Sequence, residues 1–180
     1  MTYRPATDSD LAAIARLMNR AYRDGDSASW SSESAYLAGD RTSETLLRED
    51  LATAPQATLL KWQDKEGVIV GCVRVEPLGN GTWYLGSLAV DPDHQGASLG
   101  RTLLTAAEDW VRERGGHHVR LTVINVRQPM IAWYHRRGYR ETGETESFPY
   151  GDDRFGRPLR DDLCFVVLHK TLFTARPLRS

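Results

Sequence analysis

The stretch with the clearest chemical content is residues 87–104, SLAVDPDHQGASLGRTLL. It reads as an apolar strand, an acidic-proline turn, a glycine-containing loop and the start of a helix. Such a loop suits anions. Small residues let the main chain approach a ligand, and the first turn of a helix offers unpaired N–H groups and a partial positive charge. Gln95, Gly96, Ala97, Ser98, Leu99 and Gly100 form the loop and its junction with the helix, and Arg101 adds a cation in the first turn. A pyrophosphate fits this arrangement better than most ligands do. Two familiar phosphate loops are excluded: no Lys-Ser/Thr follows Gly100, as a Walker loop needs, and no Gly-x-Gly-x-x-Gly is present. The five histidines show no metal-ligand spacing, and no metal is expected.

The same residues raise a rival from another reaction class. Residues 96–100, GASLG, satisfy Gly-x-Ser-x-Gly, the nucleophile elbow of α/β-hydrolases, and Asp161 or Asp162 and then His169 follow in the hydrolase order. Context opposes this reading. An elbow needs its strand to run straight into the first glycine, whereas DPDHQ separates Val90 from Gly96; His169 lies inside the apolar run FVVLHK; and no HGGG-type segment is present.

The elements that position this loop follow from periodicity. Leu11, Ile14, Ala15, Leu17, Met18 and Tyr22 form an i, i+3, i+4 stripe behind an N-cap at Thr7 or Asp8, which predicts a first helix. Residues 25–40 read as a polar loop or frayed helix, and residues 42–54 as a second helix ending before Pro55. ATLLKW, VIVGCVRVE and TWYLGSLAV predict an antiparallel meander, with Asn80-Gly81 as a hairpin turn. Leu99, Leu103, Leu104, Ala107, Trp110 and Val111 mark one face of a third helix closed at Gly115. HHVRLTVINV alternates as a strand, residues 129–137 form a short helix ended by Gly138, and two more strands follow. The order β-α-α-β-β-β-α-β-α-β-β predicts an α/β fold. Its sheet is mixed, mostly antiparallel and twisted, with helices on both faces.

Composition narrows the function classes. The chain has 180 residues, 41% hydrophobic and 26% charged, which suits one globular domain over residues 1–173 with a loose tail at 174–180. Twenty-three Lys+Arg against 24 Asp+Glu leave a net charge of -1, which disfavours nucleic acid as a partner. No apolar run approaches the roughly 18 residues a membrane span needs, and the first residues do not read as a signal peptide. Cys72 and Cys164 lie in apolar strand-like runs and read as reduced thiols in a cytoplasmic protein.

The loop resembles the acyl-CoA loop of the GCN5-related N-acetyltransferases (GNAT), Arg/Gln-x-x-Gly-x-Gly/Ala. Gln95 holds the first place, Gly100 the last, and Ser98 stands where the family usually has glycine. The flanks extend the resemblance over roughly residues 82–145. LAVDP matches the family's fourth strand, GRTLLTAAEDWVRERGG its third helix, and AWYHRRGYRETGE its closing aromatic-Tyr-x-x-x-Gly-Tyr motif.

The resemblance implies transfer of an acetyl group from acetyl-CoA to a primary amine of a small molecule or peptide by direct attack. Backbone N–H groups at a bulge in the fourth strand, at Leu88, Ala89 and Val90, would polarise the thioester and hold the pantetheine arm. Tyr134 would be the general acid that protonates the departing thiolate. Where the family often has Asn seven residues before this tyrosine, the chain has Arg127, with Asn125 two residues earlier as a candidate for the cofactor arm. TWYLGSLAV holds no acidic residue, so the general base is open: Ser87 could position a water, and Glu76, His118 and Asp152-Asp153 are the other candidates.

The acceptor loops would be GDSASWSSESAYLAGD and FPYGDDRFGRPLRDD, rich in carboxylates and in aromatics such as Trp30, Tyr36, Phe148, Tyr150 and Phe155, with Trp30 and Tyr150 as substrate candidates. Carboxylates interleaved with aromatics suit a cationic amine. A homodimer is left open. A non-catalytic acyl-CoA-binding module is the second alternative, and a hydrolase using Ser98 the third.

Overall fold

The computed structural model describes residues 2–24 and 32–173, apart from the side chains of Thr2, Gln95, Gly96, Ala97 and Phe155. The elements run β1 (Thr2–Pro5), α1 (Leu11–Asn19), β2 (Leu37–Ala38), α2 (Glu44–Thr53), β3 (Thr58–Gln63), β4 (Ile69–Gly79), β5 (Thr82–Val90), α3 (Leu99–Glu113), β6 (His118–Ile124), α4 (Gln128–His135), β7 (Arg140–Ser147), β8 (Arg157–Pro158) and β9 (Cys164–Thr171). This is the expected order with one addition, the two-residue strands β2 and β8. They pair antiparallel and tie the segment before α2 to the segment before β9, where the sequence predicts only loop. Two residues are too few to carry an alternation.

The main sheet has the order β1-β3-β4-β5-β6-β9-β7, antiparallel except for the β5–β6 pair that the α3 crossover forces to be parallel. Strand alternation sends neighbouring residues to opposite faces. Leu59, Cys72 and Ala89 thus meet the α1 stripe and Leu47 of α2, while Leu60, Val73 and Leu88 meet Leu103, Leu104 and Val111 of α3. Every residue of the α1 stripe is buried. Asn80 and Gly81, both at positive φ (50° and 71°), make the hairpin turn between β4 and β5. Ser43 caps α2 by accepting from the Leu46 N–H at 3.2 Å. At the far edge β7 is exposed along its whole length, and Arg140, Glu141, Glu144 and Glu146 make it a poor template for further pairing. Both cysteines are free thiols, Cys72 buried and Cys164 half-buried. Among the described residues no helix is long and apolar enough to cross a membrane.

Candidate active site

The sheet opens in its middle. β5 and β6 pair only at Thr82–His118, Trp83–Val119 and Tyr84–Arg120, and no further partners join them beyond that point. β5 also carries a bulge: Gly86 faces Arg74 while Ala89 faces Cys72, so three steps of β5 oppose two of β4. Ser87, at φ 51°, is the bulged residue. A bulge bends a strand and increases its twist, which carries the second half of β5 away from β6. The bulge therefore lies just before the position expected at Leu88 to Val90. Ala89 and Val90 are already back in register, opposite Cys72 and Gly71, and the Leu88 carbonyl accepts the Tyr22 hydroxyl at 2.6 Å.

The wedge between the strands leads into a cleft of about 430 Å³. β5 contributes Tyr84, Gly86, Ser87 and Leu88 to its wall, β6 contributes Thr122 and Ile124, and α4 contributes Tyr134. Tyr134 is buried, with edge contacts to Trp133 (5.0 Å) and Tyr139 (5.3 Å). Its hydroxyl makes no hydrogen bond to a described residue. Burial, reinforced by the nearby Tyr22, pushes this phenol well above its usual pKa, so it stays protonated at neutral pH. Its helix is pinned at the far end: the Tyr139 hydroxyl donates to buried Glu108 at 2.9 Å, and Lys170 holds the same carboxylate at 2.8 Å. Arg137 donates to the Trp133 carbonyl at 2.8 Å with its guanidinium 3.6 Å from the Trp133 ring, a cation at the C-terminal end of the helix.

The start of α4 is held differently. Arg127, its N-cap residue, is buried and donates to Glu33 at 2.9 Å; Arg23 holds the other oxygen of Glu33, also at 2.9 Å. Burial pushes the Glu33 carboxyl up, but Arg127, Arg41 and Arg23 outweigh it and keep the group below its usual pKa. Glu33 thus joins its own segment to the helical turn Arg20–Asp24 that follows α1 and to the start of α4. Tyr22, Glu33 and Arg127 all line the cleft. The periodic pattern explains Tyr22 only as core, and nothing local in the sequence pairs Glu33 with a residue 94 positions away.

At the mouth of the phosphate-type loop, Asp91 accepts from Asp93 N–H at 2.9 Å and binds Arg20 at 2.6 Å, which fixes the turn leaving β5. Residues 92–97 form a 3₁₀ turn, and Ser98 caps α3 at φ 59°, ψ 14°. That left-handed conformation is the one glycine adopts freely, which accounts for the family's preference there. The first bond of α3 runs from Thr102 N–H to Ser98 O at 3.1 Å. The N–H groups of Leu99, Gly100 and Arg101 therefore have no acceptor within the helix. Gly100 is buried and Arg101 exposed.

The remaining sequence candidates scatter. Asn125 donates to the Asp162 carbonyl and accepts from Cys164 N–H, so its amide braces the start of β9 and does not line the cleft. The Tyr150 hydroxyl donates to the Arg160 carbonyl and accepts from Leu163 N–H, which shapes its own loop away from the cleft wall, whereas Phe148 and Asp152 do line it. Trp30 lies outside the described residues. Glu76 is paired with Arg74 at 2.8 Å, and His118 sits at the paired end of β6 against Thr171. The hydrolase residues are not brought together. Ser98 makes no side-chain cap bond, His169 lies in β9 opposite Arg120 and Arg140, and Asp162 is held by Arg160 at 2.6 Å.

The splayed β5–β6 pair and the bulged strand β5 thus wall one cleft with buried Tyr134, and α3 follows β5 with N–H groups that have no acceptor within the helix. The profile described as the acetyltransferase (GNAT) family matches residues 12–139, and the chain belongs to that family. The family is a class of acetyl-CoA-dependent N-acyltransferases. Over 52 residues the chain is 44% identical to streptothricin acetyltransferase of Streptomyces lavendulae, a match that covers 29% of this chain and 28% of that relative. The fold is shared with the ribosomal-protein-S18-alanine N-acetyltransferase of Escherichia coli, at TM-score 0.68 and 19% identity with 99% of each chain covered. It is also shared with nourseothricin acetyltransferase, at TM-score 0.67 and 22% identity, covering 96% of this chain and 98% of the other.

Proposed function

We propose that this chain transfers an acetyl group from acetyl-CoA to a primary amine of a small molecule or peptide by direct attack of the amine on the thioester. The observation that carries the reading is the wedge between β5 and β6, walled by the bulge at Ser87 and by Tyr134. Acetyl-CoA supplies the activated acyl group; the residues bind, orient and move a proton. The N–H groups of Leu99, Gly100 and Arg101, which have no acceptor within α3, and the loop from Gln95 to Ser98 suit the pyrophosphate. The stretch Leu88, Ala89 and Val90 lies beyond the last β5–β6 pair and would take the extended arm in the manner of an added strand. Tyr134 stays protonated until charge develops on sulfur and then donates. Glu33 is locked between two arginines and is not a proton acceptor.

Thermal melts with and without acetyl-CoA test the donor site. At about 100 times Kd, linkage gives roughly 2.7 kcal/mol, or about 5–10 °C for a domain of this size. Gly100→Glu reduces the shift. Streptothricin, named as the substrate of the partial relative, is the first acceptor to assay by thiol release. With a working acceptor, Tyr134→Phe lowers kcat at least tenfold while the acetyl-CoA shift is kept. A shift with no thiol release from any amine would identify a binding module instead, and no shift at millimolar acetyl-CoA would remove the donor site.

A further inference from the structure

Among the described residues four carboxylates line the cleft, and three already have cations. Glu33 has Arg23 and Arg127 at 2.9 Å each, Glu146 has Arg120 at 2.6 Å, and Asp152 has Arg154 at 2.6 Å. The arginines of the lining are engaged as well: Arg74 with Glu76 at 2.8 Å, Arg127 with Glu33, and Arg41 above the Tyr22 ring at 5.3 Å. Asp50 is the exception. Its carboxylate makes no hydrogen bond or ion pair with a described residue. The cation it acts on through space, Arg154, is held by both oxygens of Asp152 at 2.6–3.0 Å.

The place of Asp50 in the fold is electrostatically unfavourable as it stands. It lies in the last turn of α2, where the helix dipole is negative and a carboxylate is repelled. A cation bound there gains from both. Leu47, at i−3 of Asp50, shares its helix face, and Leu51, Met18 and Leu59 also line the cleft, an apolar wall suited to methylene groups.

We propose that Asp50 anchors an ammonium group of the acceptor other than the one acetylated. The acceptor class is then an aliphatic amine with two cationic groups joined by an apolar spacer, lying along Leu47, Leu51, Met18 and Leu59. The assignment rests on the acyl-transfer reading and makes Asp50 a specificity residue rather than a proton acceptor.

Two probe amines of the same length test it, cadaverine with two ammonium groups and n-pentylamine with one, at saturating acetyl-CoA with thiol release as readout. A charge-assisted hydrogen bond predicts a preference in kcat/KM for cadaverine of roughly tenfold to a hundredfold. Asp50→Asn abolishes the preference by raising KM for cadaverine, with kcat within about twofold, and Asp50→Glu keeps most of it. A merely structural role would depress both amines alike. The proposal is overturned by equal use of the two amines in the unmodified chain, by a preference that survives Asp50→Asn, or by a loss confined to kcat. It is also overturned if neither amine is acetylated while streptothricin or another amine is, which leaves the acyl-transfer reading intact. Absence of any acetyl-CoA melt shift removes both.

Discussion

Replacing Glu33 with glutamine is the sharpest test of how the segment before α2 is held. The carboxylate and both its guanidinium partners are nearly inaccessible, with side-chain exposures of 7% for Glu33 and 8% for each of Arg23 and Arg127. Removing the negative charge leaves two buried cations facing an amide that can accept from only one of them well. Breaking a buried ion pair from one side costs about 3–5 kcal/mol. At about 2–4 °C per kcal/mol for a domain of this size, the melting temperature falls by roughly 6–20 °C. Chemical denaturation of the single variants Glu33→Gln and Arg127→Gln and of the double variant gives the coupling free energy. The double variant is expected to recover at least about 1 kcal/mol relative to the sum of the singles. A Glu33→Gln variant within about 0.5 kcal/mol of the parent, or strictly additive singles, would refute the reasoning. The pH dependence has a defined sign. The folded-state pKa of Glu33 is depressed, so its contribution is complete above its usual value near 4.5 and is lost as pH falls through the lower folded value. Glu33→Gln therefore flattens the acid limb of the stability profile.

Ser98→Gly relieves a left-handed conformation that costs a non-glycine residue about 1–2 kcal/mol, partly offset by the freer unfolded chain. A net stabilisation of about 0.5–1 kcal/mol is expected in denaturant titration, and destabilisation would contradict the loop geometry at φ 59°. Cys72 is fully buried and burial raises its thiol pKa to about 12, so iodoacetamide at mildly alkaline pH labels half-buried Cys164 and leaves Cys72 unmodified until the chain unfolds. Mass mapping of the labelled peptides decides it, and early modification of Cys72 would show that the α1 face opens readily.

What could be read from the sequence was what depends on local periodicity and on short motifs. The stripe from Leu11 to Tyr22 predicted α1 because a helix repeats every 3.6 residues, and Asn80-Gly81 predicted the hairpin because few other pairs adopt two positive φ angles. The strand-loop-helix from Ser87 to Leu104 and the Tyr134 motif stood in the sequence in the right order, and with them the family. The tertiary structure alone decided which of the chemically able residues meet. The two-residue ladder of β2 and β8 has no pattern to detect, and the bulge falls at Ser87 because that residue takes up the mismatch between two strands. Asn125 and Tyr150 are spent on backbone partners that only the folded chain brings near. Glu33 and Arg127, 94 residues apart, become one buried ion pair, while Asp50 in the same cleft has none among the described residues. Residue type and spacing encode what a side chain can do, but its partners are set by long-range packing, and in a cleft the partners determine which charges remain for a ligand.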